Sequence, residues 1–199
     1  EANETNTTAE SNDAAGGRPV IKFGTDGWRA VVGKDFNFEN VEIVTRAIAR
    51  YILEKDGIDK KIIIGYDPRN KAKEFAHFSA SVLQKAGFKV FVSDEVVPTP
   101  VLAYNAKALD ADALMFTASH NPPEYLGIKF IPDYAGPATT EITNAIVENI
   151  HNIDDISFAP EKVFDIEYKS FKEPYFKHIE SIIDFEKIKE YFTREDDDG

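Results

Sequence analysis

Apolar and polar residues alternate in blocks along this chain, and the blocks differ in period. Over 38–56, Val41, Val44, Ile48, Tyr51 and Ile52 recur at three- and four-residue intervals. That spacing predicts a helix, with Asn37 or Asn40 as its cap and Gly57 as its stop. The run KIIIGYD at 61–67 has no polar interruption in its centre and predicts a buried strand ending at Pro68. A second helical period follows over 71–86 (Phe75, Phe78, Val82, Ala86) and stops at Gly87. The remainder reads as a strand at 88–92, a helix opening at Pro98-Thr99-Pro100 and running to about 109, and strands at 113–118 and 127–131. Pro100 is tolerated in a first helical turn, where its missing N–H has no partner to lose. Helices are expected at 139–150, 171–183 and 185–192, and short apolar pieces at 20–23 and 28–32 flank the turn-rich Gly24-Thr25-Asp26-Gly27.

Helices alternating with mostly buried strands predict a single α/β layered domain. Its sheet should be mixed but mostly parallel, with helices on both faces. In such sheets ligands collect at loops beyond the carboxyl ends of strands. Three polar loops adjoin strands here: GTDGWR, DPRNK and SHNPP.

Composition narrows the chemistry. With 199 residues and 43% hydrophobic residues the chain can bury a real core. It has no cysteine, which excludes disulfides, zinc–thiolate sites and thiol catalysis, and the expectation is a cytoplasmic protein. The formal charge of −12 falls to −5 once the −4 of residues 1–17 and the −3 of residues 193–199 are set aside. An acidic chain with no basic stripe points away from nucleic acid, and no apolar run reaches a membrane span. Residues 1–17 read as a disordered acidic tail, although Asn3 and Asn6 each begin an Asn-x-Thr sequon. The terminal EDDD is read as a solvated tail, not a metal site.

The candidate chemistry centres on TASHNPP. Ser119, directly after a buried strand, suits a nucleophile or phosphate carrier held on rigid scaffold, and it equally suits an ordinary turn. His120 is positioned by sequence for proton transfer, or simply for solvent. Lys129, flanked by Ile128 and Phe130, must face a ligand, a partner or water. Arg29 and Arg69 carry the planar fork that suits phosphate. Asp67 can fix the turn before Pro68, and Trp28 is read as core.

Together, IKFGTDGWRA, GYDPR and TASHNPPEYLGIKF resemble the first domain of the α-D-phosphohexomutases, across about 18–192. The resemblance implies that Ser119 carries the phosphoryl group and, through its phosphoryl oxygen, a ligand position on Mg²⁺. It implies that Arg29, Lys129 and His120 assist proton transfer and charge stabilisation. Thr25, Arg69 and Asn121 are the implied phosphate- or substrate-binding residues, with loop bracing an equal reading for Arg69 and Asp67. It further implies a hexose phosphate substrate and three more domains (II–IV), the second of which supplies most carboxylates for Mg²⁺. Residues 193–199 would then be an acidic tail or the start of a linker to domain II. Little turnover is expected from this chain alone. Leu126 departs from the family's asparagine, which leaves open a non-enzymatic sugar-phosphate-binding or regulatory module. A serine hydrolase ranks low, since no Gly-x-Ser-x-Gly elbow is present.

Overall fold

The computed structural model describes residues 21–24 and 27–193. Its centre is two adjacent strands, β2 (Lys61–Tyr66) and β4 (Ala111–Phe116), paired in parallel with Gly65 opposite Met115 and Tyr66 opposite Phe116. Both are buried on both faces. In β2, Ile62 and Ile64 enter one core while Ile63 enters the other. In β4, Leu114 and Phe116 enter the first core, and Ala113 and Met115 the second. Two-sided burial is why these strands read as unbroken apolar runs without alternation.

Six strands form one sheet in the order β1-β5-β4-β2-β3-β6. β3 (Lys89–Ser93) and β6 (Glu167–Lys169) add parallel to β2, while β5 (Tyr125–Ile131) and β1 (Trp28–Val31) add antiparallel on the other side. The mixed, mostly parallel sheet expected from the sequence is the one found. β6 is an addition to that expectation. Its sequence, Glu-Tyr-Lys, is short, polar and fully exposed, and it is a strand only because β3 offers it an edge.

The larger core lies between one face of the sheet and α1 (Phe38–Asp56), α2 (Ala72–Lys85) and α4 (Thr140–His151). The Asn37 side chain accepts the Asn40 amide at 2.9 Å and so caps α1, choosing between the two candidate caps. Trp28, 4% exposed, stacks on Phe36 with ring centroids 4.9 Å apart. The second face is covered by α3 (Thr99–Leu109), with α5 (Lys172–Ile182) packed beside it. α6 (Phe185–Thr193) closes the described chain.

Three strand boundaries differ from expectation by two residues each. β4 begins at Ala111, not 113, because the fully buried Asp112 continues the strand despite its charge, and it ends at Phe116, before Thr117. β5 starts two residues early, at Tyr125, because β1 supplies partners: Val31 pairs with Tyr125 and Ala30 with Leu126. Leu126 is fully buried in the larger core. The leucine at this position therefore has a packing reason.

Candidate active site

Parallel pairing of β2 and β4 sends the loops after both strands out of the same sheet edge. The amide of Asp67 donates to the Phe116 carbonyl at 3.1 Å, carrying the ladder one step into the loops. Beyond it, Thr117 donates its amide to the Gly127 carbonyl, and its Oγ1 accepts the amide of Ser119 at 3.0 Å. Ser119 is exposed and sits at φ 54°, in the left-handed region that non-glycine residues seldom occupy. Its Oγ lies 3.4 Å from His120 Nδ1, and His120 is itself exposed.

Arg69 holds this loop. Nη2 donates to the carbonyls of Ser119 (2.8 Å) and Asn121 (2.7 Å), and Nη1 to those of Pro122 (2.8 Å) and Tyr125 (3.1 Å). Nε faces Asp67 Oδ2 at 3.5 Å, and Asp67 Oδ1 accepts the Arg69 amide at 3.0 Å. A guanidinium has five N–H donors; the four on Nη1 and Nη2 serve loop carbonyls, and Nε forms an ion pair with Asp67. Of the two roles expected for Arg69, these contacts are those of the brace.

The register of β1 and β5 gathers the other basic residues. Arg29 pairs with Gly127, and Lys129 pairs with Met115 across β5 and β4. Alternation places Arg29, Gly127 and Lys129 on the sheet face opposite Trp28, Leu126 and Ile128, which belong to the core. Both basic side chains are half-buried. Arg29 Nη1 reaches Asn121 Oδ1 at 3.3 Å, tying β1 to the serine loop. Ser119, His120, Asn121, Arg29, Lys129 and Arg69 are thus brought to one edge of the sheet. Thr25 lies outside the described residues.

Sequence reasoning missed Thr117. A hydroxyl two residues ahead of a strand-end serine is a recognisable turn signal. It also missed the extent of the Arg69 contacts, which depend on a carbonyl arrangement that no residue pattern encodes.

Among the described residues, no group of three acidic or histidine side chains stands at Ser119. Asp67 is committed to Arg69, and Glu124 is exposed on the loop. Among the described residues, the three acids close enough to share a metal are Asp56, Asp112 and Asp133. Asp112 stands near the start of β4, roughly 20 Å along the strand direction from Ser119.

A model of the phosphoglucomutase/phosphomannomutase α/β/α domain I matches residues 20–157. The chain belongs to the phosphoglucomutase/phosphomannomutase family. It is 35% identical over 155 residues to a phosphoglucomutase of Staphylococcus saprophyticus, covering 76% of this chain and 28% of that protein. It is 30% identical over 176 residues to a phosphoglucomutase of Staphylococcus aureus strain MRSA252, covering 83% of this chain and 32% of the relative. A crystal structure from Thermus thermophilus, named provisionally as a phosphomannomutase, superposes with a TM-score of 0.73 at 32% identity. The match covers 83% of this chain and 37% of that one. The chain therefore spans about a third of these family members or less. The matched region holds the whole serine loop of this domain I, the Arg69 brace and the Arg29–Gly127–Lys129 face. β6, α5 and α6 lie beyond it. No helix among the described residues is long and apolar enough to cross a membrane.

Proposed function

We propose that this chain is the phosphoryl-carrying domain of a phosphohexomutase, and that Ser119 is the carrier. The observation that carries the reading is the exposed Ser119 hydroxyl, held outward in a left-handed backbone by Thr117 and Arg69, at an edge where Arg29 and Lys129 share one face.

In this reading the Oγ–phosphorus bond of phosphoserine breaks as a hydroxyl oxygen of a hexose monophosphate bonds to the phosphorus. The hydroxyl proton leaves to a base at the site, and a bound bisphosphate results. After the sugar turns around, the other phosphoryl group returns to Ser119 Oγ. Such a transfer is governed by positioning and by neutralising charge on the phosphoryl oxygens. Arg29 and Lys129 supply positive charge on the face that runs toward the loop. His120, with Nδ1 beside Ser119 Oγ, is the group best situated to handle the serine proton. Mg²⁺, where bound, adds Lewis-acid neutralisation of the phosphoryl oxygens. Its carboxylates would come from further domains of a full-length family member, so this chain by itself is expected to turn over little substrate. The substrate is a hexose phosphate, and the setting is the cytoplasm.

The alternative of a non-enzymatic module drew on Leu126 and on the acidic tails; burial of Leu126 in the core gives that residue a packing role, and the tails lie outside the described residues.

The test is peptide mapping of a full-length protein containing this domain, incubated with hexose 1,6-bisphosphate and Mg²⁺. One phosphate on Ser119, with mutase activity abolished in Ser119→Ala, is the expected result. Phosphate elsewhere, or an active Ser119→Ala enzyme, overturns the carrier assignment. Robust steady-state conversion of glucose 1-phosphate by the 199-residue chain alone would overturn the dependence on further domains.

A further inference from the structure

At the sheet edge opposite Ser119, three carboxylates from distant points of the sequence converge. Asp56 ends α1, Asp112 is the second residue of β4, and Asp133 follows β5. Each offers an oxygen within 4.8 Å of the others. Asp112 is fully buried. Its Oδ1 accepts the Asp133 amide at 3.0 Å, which fixes the carboxylate, while its Oδ2 has no hydrogen-bond partner among the described residues. A buried carboxylate oxygen without a donor is costly, and in native proteins such an atom is commonly served by a water or an ion.

Two lysines border the cluster. Lys60 Nζ bonds Asp133 Oδ2 (2.7 Å) and Asp110 Oδ1 (2.9 Å), and Lys55 Nζ lies 3.2 Å from Asp56 Oδ2. Four carboxylates thus face two ammonium groups, leaving two negative charges uncompensated when all are ionised. Neither lysine reaches Asp112 Oδ2. The C-terminal end of α1, at Asp56, adds the negative pole of its helix dipole.

We infer that Asp56, Asp112 and Asp133 form a site for a hard divalent cation of the calcium class, separate from the serine loop. The charge surplus matches one such ion. The oxygen separations fit within the roughly 4.6–5.2 Å spanned by opposite ligands in a calcium shell. The ion supplies the partner that Asp112 Oδ2 lacks and clamps the end of α1 to the β4 and β5 edge. Burial pushes the Asp112 carboxyl up to about 6, while Lys60 holds Asp133 below the usual carboxylate range.

The experiment uses the 199-residue chain stripped with EDTA. Tb³⁺ is the luminescent probe, sensitised by Tyr51, whose hydroxyl is under the influence of Asp112 and Asp56, and Ca²⁺ is the competitor. One saturable site is expected, with a Ca²⁺ dissociation constant on the order of 10⁻⁴–10⁻³ M. Asp112→Asn retains the Oδ1 acceptor and is expected to weaken binding at least about tenfold. Asp56→Asn, at an exposed position, gives the same reading should Asp112→Asn fail to fold. Ser119→Ala should bind Ca²⁺ as the parent does, which separates this site from any metal drawn to the serine loop. No Ca²⁺-competable signal by about 10 mM, ten times the weak end of that range, overturns the inference. So does unchanged binding in folded Asp112→Asn or Asp56→Asn.

Discussion

Gly127 stands opposite Arg29 in the β1–β5 ladder, and the arginine's side chain lies across the space where a β-carbon would be. A methyl group there would sit 2.8 Å from Arg29 Cγ, 2.5 Å from the Trp28 carbonyl oxygen and 2.8 Å from that of Thr117. Two of these three neighbours are backbone, which cannot step aside. Gly127→Ala is therefore expected to destabilise the fold by about 2–3 kcal/mol, at the upper part of the usual overpacking cost. Urea denaturation measures it, and a loss below about 0.5 kcal/mol would mean that the three strands do not approach as described.

Arg69→Lys keeps the positive charge and discards the fork. One ammonium cannot serve four carbonyls spread from Ser119 to Tyr125. The expected outcome is a loss of about 2 kcal/mol or more, with faster amide exchange at Asn121 and Tyr125. An Arg69 that acted by binding phosphate would instead leave melting unchanged and alter only ligand affinity.

The sequence reading reached the order of helices and central strands because two-sided burial writes a continuous apolar run, as in Ile62-Ile63-Ile64, and α1 writes a helical period ended by Gly57. It named its candidate site residues through their loops. It could not reach what depends on register. Nothing in the order of residues says that Arg29 falls opposite Gly127, or that Lys129 shares their face. β6 escaped because Glu167-Tyr168-Lys169 has neither apolar content nor alternation, and pairs only through an edge that β3 makes available. Asp112 worked against detection of the start of β4, since a charge inside a strand reads as a boundary.

Leu126→Asn restores the amide usual in the family's loop and tests whether this position serves the loop or the core. Its side chain is fully buried among Ala30, Ile128 and their neighbours. The expected loss is about 3–5 kcal/mol, from lost packing together with an unpaired amide. Thermal or urea unfolding would show it, and a neutral effect would return Leu126 to the ligand-facing side of the loop.

His77 supplies a pH dependence. It packs against the rings of Tyr66 and Tyr168, and its Nε2 is buried without a hydrogen-bond partner among the described residues. Burial first, and the nearby Lys73 second, push its ionisation below the ordinary histidine value of 6.5. The unfolded chain therefore binds the proton more readily than the folded one. The stability this confers is present above about pH 6.5 and is lost as pH falls from there through the lowered folded value. In urea titrations from about pH 7.5 to 5, the protein is expected to lose more stability than His77→Gln does. Parallel curves would assign the decline to other groups.

The positive φ of Ser119 limits which hydroxyl can stand there. Threonine has the same oxygen, but its second β-substituent makes the left-handed backbone a severe conformational outlier. Thr117 lies outside that region and so tolerates the branched residue. The two hydroxyls of the loop are therefore not exchangeable. Whatever group Ser119 proves to carry, this bend admits only the unbranched alcohol.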